Sequence, residues 1–219
     1  MSGITAHIQQ ILLLIPAVLV GFTFHEFAHA YTAVKLGDRT PIDQGRYTLN
    51  PLAHISLVGF VLILFVGIGW AKPVQFNPAN FRKPRRDEML VALAGPLMNL
   101  ALAILFLLFI KALVLVNPRL LLPSAGTLLT QRFLISFVWI NLVLFIFNLL
   151  PIPPLDGSHL VLGAIPERYA AARKRYMQIG VAALVIALLV SSITPYNILP
   201  IGSLANFAFQ FLARLLWGS

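Results

Sequence analysis

The sequence predicts an all-α polytopic membrane protein with about five transmembrane helices. A re-entrant loop or a small β-hairpin or sheet is expected near a buried polar site. Hydrophobic residues make up 59% of the 219 residues and charged residues 11%, whereas a soluble domain carries about 25% charged residues. Apolar stretches long enough to cross a hydrocarbon core of about 30 Å as helices lie near 6–34, 89–116, 131–150, 176–194 and 198–216.

A further apolar run, at residues 57–69, is shorter than an ordinary span. It contains three glycines and is flanked by turn-rich sequence, a pattern typical of a re-entrant segment. We therefore expect one domain over residues 1–219. Its core would cover 6–160, with a re-entrant region at 37–86, and accessory helices would occupy 176–216.

The distribution of basic residues predicts the orientation. One cluster lies at 82–86 and another at 168–175, and two predicted crossings separate them. Both clusters therefore lie on one side, which the positive-inside rule makes cytoplasmic. The cluster at 82–86 could alternatively bind anionic lipid. We expect a multi-pass protein of the plasma membrane whose polar site faces the cytoplasmic side.

The net charge of +9 does not indicate a nucleic-acid-binding protein, because the basic residues lie between apolar runs rather than along one soluble face. The chain contains no cysteine. Disulfides and thiolate metal ligands are therefore excluded.

The sequence His-Glu-Phe-Ala-His at 25–29 is an H-E-x-x-H pattern inside a hydrophobic stretch. Histidines four residues apart project from one face of a helix, so His25 and His29 could bind one metal ion. Glu26 could then hold and deprotonate a metal-bound water. The alternative is a pair of buried histidines that hydrogen-bond to neighbouring backbone. Ionisable residues at membrane depth are costly and mark functional sites, which favours the metal.

Two histidines leave a catalytic zinc ion one protein ligand short. Asp156 is the favoured third ligand, because it follows a full span and a proline-broken stretch at 148–157. Irregular backbone of this kind is tolerated at membrane depth only where it is buried in protein or lines a wet cavity. The alternative is that Asp156 caps a short helix at 157–165.

These motifs resemble those of the site-2 protease family of intramembrane zinc metalloproteases. The similarity runs from about residue 20 to 160, in a compact form without a visible PDZ or CBS module. The family carries H-E-x-x-H, N-x-x-P-x-x-x-L-D-G and often G-P-x-x-N. The matching residues are His25, Glu26 and His29; Asn148, Pro151, Leu155, Asp156 and Gly157; and Gly95, Pro96 and Asn99.

The resemblance implies one zinc ion per chain, bound by His25, His29 and Asp156. It implies Glu26 as the catalytic base, and Asn148 as a residue that binds the substrate carbonyl or oxyanion. The expected activity is that of a zinc metalloendopeptidase in the lipid bilayer. It would hydrolyse peptide bonds within or near the transmembrane segments of membrane protein substrates.

Several assignments stay open at this level. The segment at 71–76 is either an extended edge for β-strand addition of an unwound substrate or an ordinary interfacial loop. The segment at 45–54 is similar to compact relatives, which often have Asp two residues after the histidine, where this chain has Ser56. This departure leaves the role of His54 open, and the roles of Asn99 and His159 are also open.

Three other functions compete with this one. A catalytically silent scaffold or substrate-binding homologue could retain the zinc site, although it would not need Glu26. A zinc or proton transporter would carry more ionisable residues across several spans. A protease that acts on soluble peptides at the membrane surface differs only in its substrate, so cleavage of an embedded helix must be compared with cleavage of a soluble peptide.

Overall fold

A computed structural model describes residues 2–66, 71–122, 124–194 and 198–218, and these residues form nine α-helices. In chain order they are α1 (Ser2–Lys35), α2 (Thr40–Asp43), α3 (Pro51–His54), α4 (Leu57–Val66), α5 (Pro84–Val116), α6 (Ala125–Leu149), α7 (Ser158–Ala164), α8 (Ala170–Ile193) and α9 (Ile201–Trp217). The expected helical fold class is confirmed.

Four helices within the described residues are long and apolar enough to cross a membrane. They are the helices α1, α5, α6 and α8. The fifth predicted span corresponds to α9, which has 17 residues and a length of about 25 Å. This helix packs against α5 and α6, and its residue Ala205 is fully buried between them. The number of crossings therefore stays a prediction.

Helices α1, α5 and α6 pack against one another and form the centre of the bundle. Ser136 of α6 lies beside Leu13 of α1, and Leu144 lies beside Gly21, so these two helices run parallel. The absence of a side chain at Gly21 allows this close approach: a Cβ there would lie 2.9 Å from the Leu144 side chain.

Helix α5 runs antiparallel to both α1 and α6. Its residues Val91 and Asn99 pair with His29 and His25 of α1, in reverse order. The end of α1 and the beginning of α5 therefore lie at the same end of the bundle. The segment between them begins and ends on one side, as a re-entrant path requires. Residues 67–70 lie outside the described part of the chain, so the predicted path of 52–70 stays a prediction.

Among the described residues, this segment contains one isolated antiparallel bridge, between Ile55 and Ala71, and no sheet. The predicted small sheet is thus represented by a single bridge and an extended stretch at 71–77. Lys72 N–H donates to the His54 carbonyl at 2.8 Å. The buried Arg46 side chain donates to the Ala53 carbonyl and, at 3.4 Å, to the Lys72 carbonyl. These bonds hold the extended stretch against α3.

Asp38 secures the other end of the extended stretch. This fully buried carboxylate accepts hydrogen bonds from Thr40, from Asn80 and from the backbone N–H of Asn77. Burial alone would raise the pKa of Asp38, but these hydrogen bonds hold that pKa below its ordinary value. Asp38 therefore stays charged at neutral pH and keeps the loop after α1 joined to residues 77–80.

The antiparallel packing of α1 and α5 predicts which loops share a side of the membrane. Cysteines introduced at Asp43 and Arg82 are both exposed and should react with a membrane-impermeant maleimide from the cytoplasmic side. A cysteine at Arg119, at the far end of α5, should react from the opposite side. Labelling of intact cells and of inverted vesicles measures this, and the native chain adds no background because it has no cysteine.

Labelling of positions 43 and 82 from opposite sides would contradict the helix arrangement. Labelling of both from the outside would leave the arrangement intact and reverse the predicted orientation.

Candidate metal centre

Helix α1 brings the H-E-x-x-H residues to the centre of the bundle. His25, Glu26 and His29 are all buried. The spacing of four residues places the two imidazoles on one face of α1, and their Nε2 atoms lie 3.0 Å apart. The side chain of Glu26 lies next to this pair and faces the extended stretch at 71–77.

Asp156 reaches the same point from the proline-rich stretch that follows α6. The stretch folds back because Gly157 N–H donates to the Asn148 carbonyl at 2.7 Å. A Cβ at Gly157 would overlap the backbone of Leu149, so only glycine permits this close turn. Helix α7 begins at the next residue without a side-chain cap. The alternative role of Asp156 as a helix cap is therefore wrong.

The three predicted ligand atoms form a nearly equilateral triangle. Asp156 Oδ2 lies 3.1 Å from His25 Nε2 and 3.4 Å from His29 Nε2. Ligands at about 2.0–2.1 Å around a tetrahedral zinc ion are about 3.3 Å apart. Asp156 Oδ2 is buried and has no hydrogen-bond partner. The triangle therefore has the size and the unsatisfied acceptor that a zinc ion requires.

The hydrogen bonds behind the histidines fix which nitrogen faces the triangle. His29 Nδ1 lies 2.7 Å from the Val91 carbonyl, which can only accept, so this nitrogen carries the proton. The Nε2 atom of His29 then presents a lone pair to the centre of the triangle. A carbonyl that accepts the other ring N–H in this way orients a metal-binding histidine.

Asn99 likewise fixes which nitrogen of His25 faces the triangle. Both amide hydrogens of Asn99 are used, one by the Gly21 carbonyl at 3.1 Å and one by Asn141 Oδ1 at 2.9 Å. The amide of Asn141 is itself fixed, because it donates to the Phe137 carbonyl. Only Oδ1 of Asn99 remains for His25 Nδ1, at 2.7 Å. His25 therefore also presents the Nε2 lone pair to the triangle.

Two nitrogen lone pairs and a carboxylate oxygen repel one another at these distances unless a cation lies between them. The donor set of two imidazoles and one carboxylate is one that catalytic zinc uses.

Helix α5 approaches the histidines closely enough that a side chain at Gly95 is excluded. A Cβ at this position would lie 2.6 Å from His25 Cε1 and would overlap the His29 ring. Gly95 therefore makes room for the two imidazoles. Gly95 and Asn99 belong to the same sequence pattern, and both support the histidines: Gly95 leaves space for the rings and Asn99 orients His25.

A cavity of about 150 Å³ adjoins the triangle and is large enough for several water molecules. It is lined by Glu26, His29, Pro73, Val74, Phe76, Ala92, Pro154, Asp156 and His159. Glu26 Oε2 accepts the Val74 N–H at 2.8 Å. The carboxylate is thus held at the cavity wall, where it can contact a water molecule next to the metal.

The structure does not bring the Asn148 amide to this site. Its Nδ2 donates to the Leu144 carbonyl of its own helix at 3.0 Å, and Asn148 does not line the cavity. His159 has no role assigned from the sequence, although it follows the predicted ligand Asp156 by only three residues. His159 lines the cavity, and its Nδ1 lies 3.0 Å from Glu88 Oε1.

A helical membrane domain with a buried His-His-Asp triangle and an adjacent glutamate defines the class of membrane zinc metalloproteases. The family model "Peptidase family M50" matches residues 123–192. The Bacillus subtilis protein named "Putative zinc metalloprotease YwhC" is 42% identical over 182 residues, which cover 83% of this chain and 80% of that protein. The chain belongs to peptidase family M50, the site-2 protease family.

More distant relatives carry similar names. Rip2 of Mycobacterium tuberculosis is 34% identical over 158 residues, which cover 69% of this chain and 57% of that protein. MJ0611 of Methanocaldococcus jannaschii is 34% identical over 146 residues, or 66% of each chain. The names of both proteins begin, like that of YwhC, with "Putative zinc metalloprotease". No solved structure matches this chain.

The triangle predicts the zinc content of purified protein. The wild-type chain should hold about one zinc ion, and His25→Ala, His29→Ala and Asp156→Ala should each lose most of it, because each removes one of three ligands. Asn99→Ala should weaken zinc binding by roughly 10- to 100-fold, because it frees the His25 ring. Metal analysis after dialysis against graded chelator measures both effects.

Ser203→Ala provides a control, because Ser203 is an exposed residue of α9 and should leave the zinc content unchanged. Full zinc retention by Asp156→Ala would show that the third ligand lies elsewhere.

Proposed function

We propose that this chain is an intramembrane zinc metalloprotease that hydrolyses peptide bonds within or near the transmembrane segments of membrane proteins. The observation that carries the proposal is the position of the His25–His29–Asp156 triangle. It lies inside a bundle of apolar helices, beside the Glu26 carboxylate and a cavity large enough for water. Zinc bound by these residues would lower the pKa of a bound water and polarise the substrate carbonyl.

Glu26 performs the proton transfers in this mechanism. Its carboxylate accepts a proton from the attacking water as the new bond to the carbonyl carbon forms. The same carboxyl group then delivers that proton to the amide nitrogen as the peptide bond breaks. The hydrogen bond from Val74 N–H occupies one lone pair of Oε2 and fixes the carboxylate orientation, so little reorganisation is needed at the moment of reaction.

The extended stretch at 71–77 provides backbone partners for an unwound substrate. In an extended chain alternate N–H groups point to the same side, and those of Lys72 and Val74 point into the protein. Gln75 lies between inward-facing positions and is exposed, and its N–H has no hydrogen-bond partner among the described residues. The Asn77 N–H is taken by Asp38, so the unpaired Gln75 N–H is what supports β-strand addition of the substrate rather than an ordinary interfacial loop.

Substitution of Glu26, the proposed catalytic base, gives the most direct test of the proposed function. Glu26→Gln should retain zinc, because Glu26 is not a ligand, and should lose nearly all cleavage, because an amide cannot accept the proton. The assay uses full-length chain in lipid vesicles with a labelled single-span substrate, followed by gel analysis of the products. A soluble peptide of the same cleavage sequence is assayed in parallel.

Equal turnover by wild type and Glu26→Gln would refute the hydrolytic mechanism. Cleavage of the soluble peptide alone would assign the enzyme to the membrane surface. Failure of the wild type to cleave either substrate, with zinc bound, would favour a silent scaffold.

Asn148 is proposed to bind the substrate carbonyl or oxyanion after its amide leaves the Leu144 carbonyl. If it donates in the transition state, Asn148→Ala should lower kcat by roughly 10²–10³-fold and leave the zinc content unchanged. If Asn148 only stabilises the end of α6, the thermal stability should fall while kcat per folded molecule stays constant. Zinc analysis, kcat and the melting temperature separate these outcomes.

A further inference from the structure

His159 lines the cavity beside the triangle and has no role in the mechanism proposed above. Three contacts hold the residue, two of them through its ring. Its backbone N–H donates to the Asp156 carbonyl at 3.0 Å, its Nδ1 lies 3.0 Å from Glu88 Oε1, and its ring lies 6.3 Å from that of Phe76. These contacts connect α7, α5 and the extended stretch, so the position of the imidazole is fixed relative to the triangle.

The packing of α7 on α5 strengthens this arrangement. A Cβ at Gly163 would lie 2.9 Å from Met89 Cγ, so α7 approaches α5 with no intervening side chain at that point. Glu88, which precedes Met89, is thereby placed next to His159. Both side chains are partly buried. The His159–Glu88 pair therefore lies at the contact between α7 and α5 rather than on the open surface.

The bond to Glu88 decides which nitrogen of His159 is available. The Glu88 carboxylate can only accept, so His159 Nδ1 carries the hydrogen. With the hydrogen on Nδ1, the neutral form of the ring has Nε2 as its acceptor. Among the described residues Nε2 has no hydrogen-bond partner, and the ring forms part of the cavity wall together with Glu26 and Asp156.

We propose that His159, oriented by Glu88, is a further catalytic residue, whose Nε2 accepts a hydrogen bond from the N–H of the scissile peptide. The inference rests on the proposed function and deepens it. As water adds to the carbonyl carbon, the amide nitrogen becomes tetrahedral and can no longer share its electron pair with the carbonyl. An acceptor that fixes its N–H directs the new lone pair toward the proton on Glu26, so the contact is most favourable in the transition state.

Two isosteric substitutions separate this role from a structural one. The amide nitrogen of His159→Asn occupies the Nδ1 position, so it keeps the bond to Glu88 and deletes Nε2. The amide of His159→Gln reaches the Nε2 position and loses the bond at Nδ1. If Nε2 contacts the substrate, His159→Asn should lower kcat by about 10- to 100-fold, and His159→Gln should lower it less.

The measurement uses full-length protein in lipid vesicles with the labelled single-span substrate, and it determines kcat and KM separately. Zinc content and melting temperature should match the wild type in His159→Asn. Binding of the uncleaved substrate, measured by fluorescence anisotropy in a Glu26→Gln background, should change less than threefold. Glu88→Ala, which releases the ring, should lower kcat by a smaller factor than His159→Asn.

A wild-type kcat for His159→Asn, together with a loss of activity or stability in His159→Gln, would show that only the Nδ1–Glu88 bond matters and would overturn the proposal. A loss of zinc or of melting temperature in His159→Asn would also overturn it, because the role would then be structural. If wild type and Glu26→Gln release product at equal rates, the proposed function fails, and this inference fails with it.

Discussion

The mutual repulsion of three electron-rich atoms in a buried space is the constraint on which this structure depends. The atoms His25 Nε2, His29 Nε2 and Asp156 Oδ2 lie within 3.4 Å of one another. A metal cation relieves this repulsion. The surrounding residues hold the three ligand side chains in place before the cation binds. Asn99 and the Val91 carbonyl accept from the Nδ1 atoms, so both imidazoles are oriented with Nε2 toward the metal position.

The same site must satisfy polar backbone inside an apolar bundle. The extended stretch at 71–77 lacks regular secondary structure, so its N–H groups need partners from elsewhere. The His54 carbonyl, the Glu26 carboxylate and the Asp38 carboxylate supply them. Glu26 therefore has two functions, since the proposed base also anchors the stretch that borders the cavity. These bonds fix the stretch at residues 72, 74 and 77, and the Gln75 N–H is proposed to pair with an unwound substrate.

The site residues differ in how far their spacing alone determines their contacts. A separation of four residues on a helix places His25 and His29 side by side whatever the tertiary structure, so the sequence predicts that pair directly. The two asparagines illustrate the opposite case. The family resemblance implies that Asn148 binds the substrate, and in this structure its amide donates to the Leu144 carbonyl of its own helix. Asn99, whose role the sequence left open, lies behind His25. A side-chain amide can always bond locally, and only packing decides whether it does.

By itself the sequence determined the helical membrane class, the approximate positions of the long helices, the two histidines with their glutamate, and Asp156 as a candidate third ligand. These follow from apolar length, from helical spacing and from the cost of charge in an apolar stretch. Tertiary structure alone decided that α1 and α6 run parallel, that Gly95 leaves space for the imidazoles, and that His159 meets Glu88 at the cavity. The physical reason is that such contacts join residues about 70 to 123 positions apart, and local pattern carries no information about the packing that brings them together.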